Sequence, residues 1–377
     1  MDFTFTAEQQ AFRKVVRDFA ESEIAPRAEE MDRTGEFPTD LVLKMGELGL
    51  FGIPFPETYG GMGGDFTTLC IAIEELARID SSMAITLEAG VGLGGMPIFM
   101  FGTEEQKQKW LPPLARGEKL AGFGLTEPDA GSDAGGTKTT AKLDGGEWVV
   151  NGSKAFITNA GTEITQHVTV TALTAPGEIS NIIIPAGTAG FTVGKKYSKV
   201  GWHASDTREL AFNDCRVPEG NLLGNKGEGF KNFLIILDGG RVAIAALGVG
   251  LSQGCLDESI AYAKERKTFG KPIAEHQAIA FKLADMEVRT ETSRLAVYRA
   301  AWLHEQGLPF KKEAAIAKLY ATEAAVTNAR EATQIHGGNG FINEYPVARH
   351  WRDSKILEIG EGTSEVQRLL IARHLLA

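Results

Sequence analysis

The sequence 139–158, TTAKLDGGEWVVNGSKAFIT, is the most informative about the fold, because the residue pattern changes there from helical to strand-like. Short β-branched runs alternate with the turn pairs Asp144-Gly145 and Asn151-Gly152, and such pairs between apolar runs are strong hairpin signals. We therefore predict strands over 139–143, 148–150 and 155–158, joined by two hairpins. The later runs leave no room for a helix, which favours an antiparallel sheet over a β-α-β arrangement. These further predicted strands are 167–173, 181–184, 191–193 and 209–212.

Helical patterns flank this segment on both sides. Apolar residues recur every three to four positions over 8–30, 41–50 and 67–78, and Thr103 with Gln106 forms a capping-box pattern that opens another helix. The predicted fold class is α+β, mostly α. Its three predicted domains are an N-terminal helical domain (1–120), a middle β-sheet domain (121–226) and a C-terminal domain like a four-helix bundle (227–377). The long helices predicted in the last domain are 230–266, 275–306 and 311–334.

The composition excludes several classes of function. The 377 residues include 39 Lys and Arg against 49 Asp and Glu, a formal net charge of −10, which disfavours binding to nucleic acid. The three cysteines are widely spaced and the seven histidines form no close ligand pair, so we expect neither disulfides nor a bound metal. The opening residues lack the pattern of a signal peptide, and no run approaches ~20 uninterrupted apolar residues. We therefore expect a cytoplasmic protein that does not enter a membrane.

One glycine-rich motif is misleading. Residues 90–95, GVGLGG, match the G-x-G-x-x-G pattern of dinucleotide-binding turns. That pattern requires a preceding strand, whereas the residues before it have a helical period. We interpret the glycines as small residues that let helices approach closely.

Two loops contain more polar and flexible residues than a simple connection needs. Residues 123–133, FGLTEPDAGSD, offer hydroxyls and backbone N–H groups that could cradle an anion or a flat ring, or could simply link two domains. In residues 359–368, IGEGTSEVQR, Ser364 and Gln367 form a capping-box pattern, which places Glu361 in the loop before a helix. A carboxylate in an apolar pocket has a raised pKa that suits a general base. On its own, Glu361 is equally compatible with a solvated loop acid or a helix-dipole partner.

The chain resembles the acyl-CoA dehydrogenases over essentially its whole length, in five motifs that occur in the expected order. The resemblance implies the same helix–sheet–helix-bundle layout, one FAD per subunit, a homotetramer, and electron-transfer flavoprotein as the electron acceptor. The motifs are the loop 123–133, KAFITN at 154–159, RKTFG at 266–270, QIHGGNG at 334–340 and EGT at 361–363.

The resemblance also assigns cofactor-binding roles by motif. Around the isoalloxazine ring, Leu125, Thr126 and Ser132 would line the edge, Phe156 would flank the face and Thr158 would bond near N5. Other residues of the same segments, Phe123, Gly131 and Ile157, complete this set. The adjacent subunit would contribute Arg266, Thr268 and Phe269, and the same cofactor would be approached by Gln277, Gln334, Gly337 and Gly338, with Thr363 and Glu365 at its other end.

The implied reaction is the α,β-dehydrogenation of a fatty acyl-CoA, as in β-oxidation, to the trans-2-enoyl-CoA. Glu361 would remove the α proton while the β hydrogen leaves as a hydride to flavin N5. The backbone N–H of Glu361 and a ribityl hydroxyl of FAD would polarise the thioester carbonyl. Ser132, Asp238 and Arg241 would contact the CoA moiety, and Gly362 would also touch the substrate.

Two departures from the family pattern bear on the substrate. Some relatives, the isovaleryl type among them, place the base immediately before the arginine of the 237–241 segment; this position is Gly240 here, so only Glu361 can supply the carboxylate. Gly360 stands where many straight-chain enzymes have tyrosine, which predicts a wider cavity and a short or branched acyl chain. The candidate residues for the acyl pocket, each equally compatible with plain core, are Leu87, Glu88, Val91, Ile244 and Leu247.

Two alternatives remain open at this point. The first is an acyl-CoA oxidase, in which O2 takes the electrons. The second is a catalytically silent scaffold that keeps the fold. The acyl carrier could be CoA or a carrier protein.

Overall fold

The computed structural model describes residues 4–376, which form helices, then a sheet, then helices again. The predicted helix over 8–30 is interrupted: α1 ends at Phe19, and a π-turn and a 3-10 turn precede α2. Pro26 explains the break, because its ring has no N–H and clashes with a carbonyl one turn earlier. The N-terminal helices are α1 Ala7–Phe19, α2 Ala28–Thr34, α3 Thr39–Glu47, α4 Phe66–Ile79, α5 Ser81–Glu88, α6 Met96–Phe101 and α7 Glu104–Ala115.

Two local predictions in this part of the chain are confirmed. Thr103 and Gln106 form a reciprocal capping box at the start of α7, with bonds of 3.0 and 3.2 Å. The glycine-rich run lies in a π-helix, Ala89–Gly95, that follows α5 rather than a strand. A β-carbon on Gly94 would lie 2.8 Å from the Ala121 carbonyl oxygen, so the glycine permits close packing.

The middle domain is one eight-stranded sheet, and it is mixed rather than purely antiparallel as predicted. Most neighbours are antiparallel, but β1 runs parallel to β4, and β2 meets β4 in parallel at one position. Because a long loop separates β1 from β2, no hairpin forces the two to pair with each other. The strands are β1 Leu120–Gly124, β2 Thr140–Asp144, β3 Glu147–Thr158, β4 Thr165–Ala175, β5 Glu178–Pro185, β6 Phe191–Val193, β7 Thr207–Pro218 and β8 Leu222–Leu223.

The predicted hairpin at Asn151-Gly152 is wrong. Both residues lie inside β3, where the register with β7 shifts between Val150 and Gly152, as at a β-bulge. The Asn151 side chain explains the difference, because it bonds across to Asp214 on β7 through its amide nitrogen (3.0 Å) and its oxygen (2.8 Å). The Asp144-Gly145 turn between β2 and β3 does form a hairpin.

The C-terminal helices pack around α8, which also contacts α4 and α5 of the N-terminal domain. One hydrophobic cluster therefore joins both helical domains, while a second lies within the sheet. After α8, two short strands, β9 Lys267–Thr268 and β10 Lys271–Pro272, pair with each other. The helices are α8 Gly229–Glu265, α9 Gln277–Glu305, α10 Lys311–His336, α11 Pro346–Leu357 and α12 Ser364–Leu376.

Two helical stretches are long and apolar although neither contains an uninterrupted run of about 20 apolar residues. Ser81–Phe101 and Gly229–Glu265 contain windows with mean hydropathy of 1.5 and 1.8, enough by length and composition for a membrane span. However, 67% and 78% of these windows are buried inside the fold. Core helices that face neighbours on all sides have the same composition, so this is weak evidence for a membrane span.

Candidate active site

The backbone around Glu361, between α11 and α12, is sharply bent. Glu361 has φ +51° and Gly362 φ +96°, and the former is an uncommon conformation for a residue with a side chain. The predicted cap at Ser364 is wrong: a first-turn N–H donates to Thr363 Oγ1 at 3.3 Å, and no described group bonds the Ser364 hydroxyl. Ser364 has already entered the helix, so Thr363 takes the cap position. The Gln367 amide donates to the Gly362 carbonyl at 2.9 Å and fastens the loop.

The side chain of Glu361 points into the protein. Both of its carboxylate oxygens are shielded from solvent, and no backbone N–H, amide, cation or alcohol of the described residues donates to them. They face α8 at Gly240, where a β-carbon would lie only 2.9 Å from the Glu361 carboxyl carbon. The missing side chain at Gly240 is therefore what makes room for the Glu361 carboxylate. The solvated-acid interpretation of Glu361 is excluded by this burial.

Three ionisable side chains surround this carboxylate and influence its protonation. Burial has the largest effect and raises the pKa of Glu361 to about 7, whereas a hydrogen bond with Glu88 and the charges of Arg241 and Lys318 act to lower it. Burial and the neighbouring Glu361 also hold the pKa of Glu88 well above its usual range. A carboxyl with a pKa near neutrality can accept a proton from a weak carbon acid.

The sequence analysis missed Lys318, which lies beneath the Glu361 loop on α10. Its side chain is fully buried, and its ammonium donates to the Gly362 carbonyl at 2.8 Å. Burial lowers the pKa of Lys318 to about 8 despite the favourable charge of Glu361. A sequence signal existed, because Lys318 is a charged residue on a face of α10 that consists mainly of buried alanines.

Asp238 and Arg241 lie one turn apart on α8 and form a buried ion pair. The ammonium of Lys311, at the start of α10, reaches Asp238 at 3.0 Å. The Arg241 Nε has no partner among the described residues. The predicted CoA-contacting pair therefore lies on the same helix as Gly240 and next to the Glu361 carboxylate.

The candidate residues for the acyl pocket are all buried where α5 and the π-helix Ala89–Gly95 approach α8. Glu88 is 1% exposed, and the four apolar candidates belong to the main hydrophobic cluster. This burial is what either an acyl pocket or plain core would show, so their role stays a prediction. These four are Leu87, Val91, Ile244 and Leu247.

The loop after β1 is held by a buried ion pair that the sequence analysis did not identify. The Lys154 ammonium lies 2.7 Å from Glu127, and neither side chain is more than 4% exposed. Glu127 also accepts the backbone N–H groups of Lys138 and Thr139 at 2.7 and 3.0 Å. The Lys154 ammonium additionally donates to the Leu125 carbonyl at 3.2 Å. The predicted flavin loop is thus a fixed platform rather than a slack linker.

The residues predicted to meet the flavin ring lie along this platform and the adjoining end of β3. Phe156 is 65% exposed, has φ +62° and contacts Tyr197 in a tilted arrangement, with 5.2 Å between the ring centroids. Leu125, Thr126 and Thr158 are half-buried, and Gly131 and Ser132 are exposed. Phe123 and Ile157 are buried, so they support the site from below.

The second set of predicted cofactor residues forms an exposed cluster at one end of the helical bundle. Phe269 is 96% exposed with φ +50°, and His276, next to Gln277, bonds to Thr268 at 3.3 Å. Tyr262 joins this turn to the end of α10, because it donates to the His336 carbonyl at 3.3 Å. The members of the cluster are Arg266, Thr268, Phe269, Gln277, Gln334, Gly337 and Gly338.

Thr363 and Glu365, the two residues predicted for the far end of the cofactor, flank the start of α12. Thr363 is half-buried because its hydroxyl caps the helix, and Glu365 is exposed in the first turn. No group of three or more His, Cys, Asp and Glu side chains in the part of the chain described here has the geometry of a metal site.

The fold and the site together define a class of protein: a helix–sheet–bundle protein with a buried carboxylate where the loop between α11 and α12 meets α8. Family models divide the chain in the same way. They match the acyl-CoA dehydrogenase N-terminal domain over 6–118, the middle domain over 122–215 and the C-terminal domain over 227–376. The chain belongs to the acyl-CoA dehydrogenase family.

Similar proteins are known over the full length of the chain. It is 54% identical to the "Probable acyl-CoA dehydrogenase YngJ" of Bacillus subtilis, with 100% of both chains covered. It is 47% identical to a short-chain-specific acyl-CoA dehydrogenase of Clostridium acetobutylicum, with 99% of each covered.

Solved structures agree with these relatives. The butyryl-CoA dehydrogenase of Megasphaera elsdenii has a TM-score of 0.97 at 46% identity, with 100% of both chains covered. A chain from a study of the electron transferring flavoprotein of Acidaminococcus fermentans gives the same values. An acyl-CoA dehydrogenase of Bacillus anthracis, complexed with FAD, has a TM-score of 0.95 at 37% identity, covering 99% of this chain and 67% of that one.

Proposed function

We propose that this chain is an FAD-dependent enzyme that converts an acyl-CoA to its trans-2-enoyl-CoA, with Glu361 as the catalytic base. The observation that carries the proposal is the buried Glu361 carboxylate, which faces Gly240 and no hydrogen-bond donor except Glu88. A carboxylate whose oxygens are not already occupied by N–H groups or cations can accept a proton from the substrate. Its dry surroundings raise its pKa to about 7, so it becomes a stronger base than a solvated glutamate while remaining partly ionised at neutral pH.

The chain's own residues would remove the proton and polarise the thioester carbonyl. Glu361 would remove the proton on C2 of the acyl group, and its backbone N–H would polarise the thioester carbonyl as negative charge develops on that oxygen. The bent loop fixes both groups on one residue, because Lys318 and Gln367 bind the Gly362 carbonyl from two sides. Burial excludes water from the carboxylate and leaves the substrate as the proton source.

The residues present fit FAD. The exposed rings of Phe156 and Phe269, each held in a left-handed backbone conformation, give flat apolar contacts that a folded protein does not normally leave in water. Nothing lies within 4 Å of a β-carbon built on Gly337 or Gly338, so a cofactor can approach the backbone closely there. Ser132, Thr126 and Thr158 would supply hydrogen bonds. When bound, FAD supplies the chemistry that accepts the C3 hydrogen with its electron pair.

The CoA moiety would be bound near the same helix. Arg241 offers a buried guanidinium with a free Nε, and Asp238 next to it is a hydrogen-bond acceptor. Ser132, in the loop after β1, and Gly362, in the loop before α12, would also contact the substrate. The Arg241 guanidinium provides the local attraction that a phosphate-bearing substrate needs in an acidic protein.

We infer a short or branched acyl chain. Gly360 places no side chain beside Glu361, and a β-carbon there would meet only the Ile356 carbonyl at 3.5 Å. Buried Leu247 would line the acyl pocket, and buried Glu88 would lie in its wall beside Glu361. The names of the short-chain and butyryl-CoA relatives support the same range of chain length.

A substrate panel tests the proposed function directly. We expect butyryl-, isobutyryl- or 2-methylbutyryl-CoA to bleach the bound flavin anaerobically at least ~10-fold faster than octanoyl-CoA, because a pocket closed for a short chain has no room for four further methylenes, and overfilling a packed site costs about 1–3 kcal/mol. Preference for octanoyl-CoA would reject the short-chain inference. Hydrogen peroxide formed in air without an added acceptor would instead identify an oxidase. A holoenzyme that no acyl-CoA bleaches would support the silent scaffold.

Electron-transfer flavoprotein is the proposed electron acceptor, and a homotetramer is the proposed assembly. The acceptor is supported by the structural similarity to the Acidaminococcus chain. The assembly is supported by α9, where four exposed apolar side chains recur every seven residues and form a stripe fit for a second copy of this chain. These are Phe281, Val288, Leu295 and Trp302. Phe269 and Phe341 are also exposed apolar side chains that a second subunit could cover. A molecular mass in solution equal to one subunit would contradict the proposed assembly.

A methyl group added at Gly240 should disable the base. In Gly240→Ala the new β-carbon would collide with the Glu361 carboxylate and push it from its place. We expect kcat to fall at least ~10-fold, because small displacements of a catalytic group are costly. The matched control is Gly239→Ala, one residue earlier, where the nearest atom lies 4.0 Å away on Phe66 and kcat should stay within ~2-fold. Equal activities of the two variants would show that Glu361 is not constrained at Gly240.

A further inference from the structure

Glu88 is a buried carboxyl group without an obvious purpose. It is the last residue of α5 and is 1% exposed. No N–H or hydroxyl of the described residues donates to either of its oxygens, and no cationic side chain contributes to its protonation state. An unpaired carboxylate in such a place would cost several kcal/mol, so the group is stable there only as the neutral acid.

The carboxyl group that interacts with Glu88 is that of Glu361, and all four oxygens of the two groups are buried without another donor among the described residues. Two ionised carboxylates have only acceptors and cannot bond to each other. Two carboxyl groups that share a dry site hold one proton between them, as like charges cannot both ionise there. A Glu88 acid that donates to a Glu361 carboxylate satisfies both groups.

The surrounding charges decide which of the two keeps the proton. Glu361 is faced by Glu88 from α5, Arg241 from α8 and Lys318 from α10, and both cations favour a negative charge on it. Arg241 is itself paired with Asp238, and the charge of Lys318 also interacts with those of Glu358 and Glu365. No such cation reaches Glu88. The proton therefore resides on Glu88.

We propose that Glu88 is a positioning residue whose protonated carboxyl donates a hydrogen bond to Glu361 and keeps that base ionised and correctly oriented. The proposal rests on the proposed function, in which Glu361 acts as the base. Gly92, one turn after Glu88, contributes by its size: a β-carbon there would lie 3.0 Å from the Glu88 carboxyl oxygen and press on it.

The proposal has a signature in the pH profile. Loss of the hydrogen bond should make the Glu361 carboxylate harder to form, so its pKa should rise and activity should fall at low pH only. In Glu88→Ala we expect the acid limb of flavin reduction by butyryl-CoA to move up by about one pH unit, which is ~10-fold in rate at pH 6. Each profile is normalised to its own plateau near pH 9, where Glu361 is ionised in either protein, so that only the position of the acid limb is compared. Glu88→Gln should restore the wild-type limb, because its amide donates the same bond.

Either of two results would overturn the proposal: an acid limb in Glu88→Ala that coincides with wild type, or one that moves equally in Glu88→Gln and Glu88→Ala. The second result would mean that Glu88 only fills space. A substrate-free measurement separates this from failure of the proposed function. Infrared spectra of the wild-type holoenzyme at pH 9, where Glu361 is ionised, should show a protonated-carboxyl band that is weaker in Glu88→Gln, and absence of that difference contradicts the proposal whether or not the enzyme turns over.

Discussion

Glu361→Gln should abolish most turnover while leaving binding intact. The amide has the size of the carboxylate and occupies the same pocket against Gly240, but it cannot accept the C2 proton. We expect kcat to fall at least ~10³-fold, within the range that a general base contributes. FAD content and the affinity for butyryl-CoA should change by less than ~3-fold, since no cofactor-facing group is removed. Steady-state assays with a dye acceptor and equilibrium dialysis measure these quantities.

A control on the same loop distinguishes loss of the base from damage to the fold. Glu358, three residues earlier, pairs with Lys355 at 2.5 Å near the protein surface. Such pairs contribute about 0–1 kcal/mol, so Glu358→Gln should keep kcat within ~2-fold. Near-wild-type activity in Glu361→Gln would refute the assignment of the base.

Lys154→Met should have the largest effect on stability. The substitution removes the ammonium that pairs with Glu127, which is 5% exposed, and leaves that buried carboxylate without its direct charge partner. Breaking a buried pair from one side costs about 3–5 kcal/mol. We therefore expect the melting temperature of the holoenzyme to fall by roughly 5 °C or more and FAD to be lost more easily. FAD should be lost more easily because the loop after β1, which is predicted to contact the flavin, would no longer be held by the ion pair.

Lys138→Met is the matched control for this substitution. Lys138 belongs to the same loop and pairs with Asp129 at 2.8 Å, but both side chains are about 70% exposed. Solvent screens such a pair, so the melting temperature should move by less than ~2 °C. Equal effects of the two lysine substitutions would mean that the buried pair does not hold the platform.

Much of the architecture could be predicted because it depends on local pattern. The Thr103–Gln106 capping box and the long helices α8 and α10 follow from residue type and period. The failure at Asn151-Gly152 has a tertiary cause: a turn signal was overridden by the bonds that Asn151 makes to Asp214, far away in sequence. The parallel pairing of β1 with β4 is likewise a long-range contact that no local pattern encodes.

The candidate site divides in the same way. Glu361 and Gly240 stand out in the sequence only through motif resemblance, and burial of the carboxylate against that glycine appears only in three dimensions. Lys318 and the Lys154–Glu127 pair were missed because isolated lysines in a helix or strand are normally at the surface. Glu88 was taken as a pocket residue; its pairing with Glu361 depends on how α5 packs against α8.

The most direct test of the central claim is exchange of the C2 hydrogen of the substrate. Butyryl-CoA deuterated at C2 is incubated anaerobically in ordinary water with the holoenzyme and no electron acceptor, and its deuterium content is followed by mass spectrometry. We expect wild type to wash deuterium out and Glu361→Gln to do so at least ~10³-fold more slowly. Exchange at the wild-type rate in Glu361→Gln would show that another group removes the proton and would contradict the account.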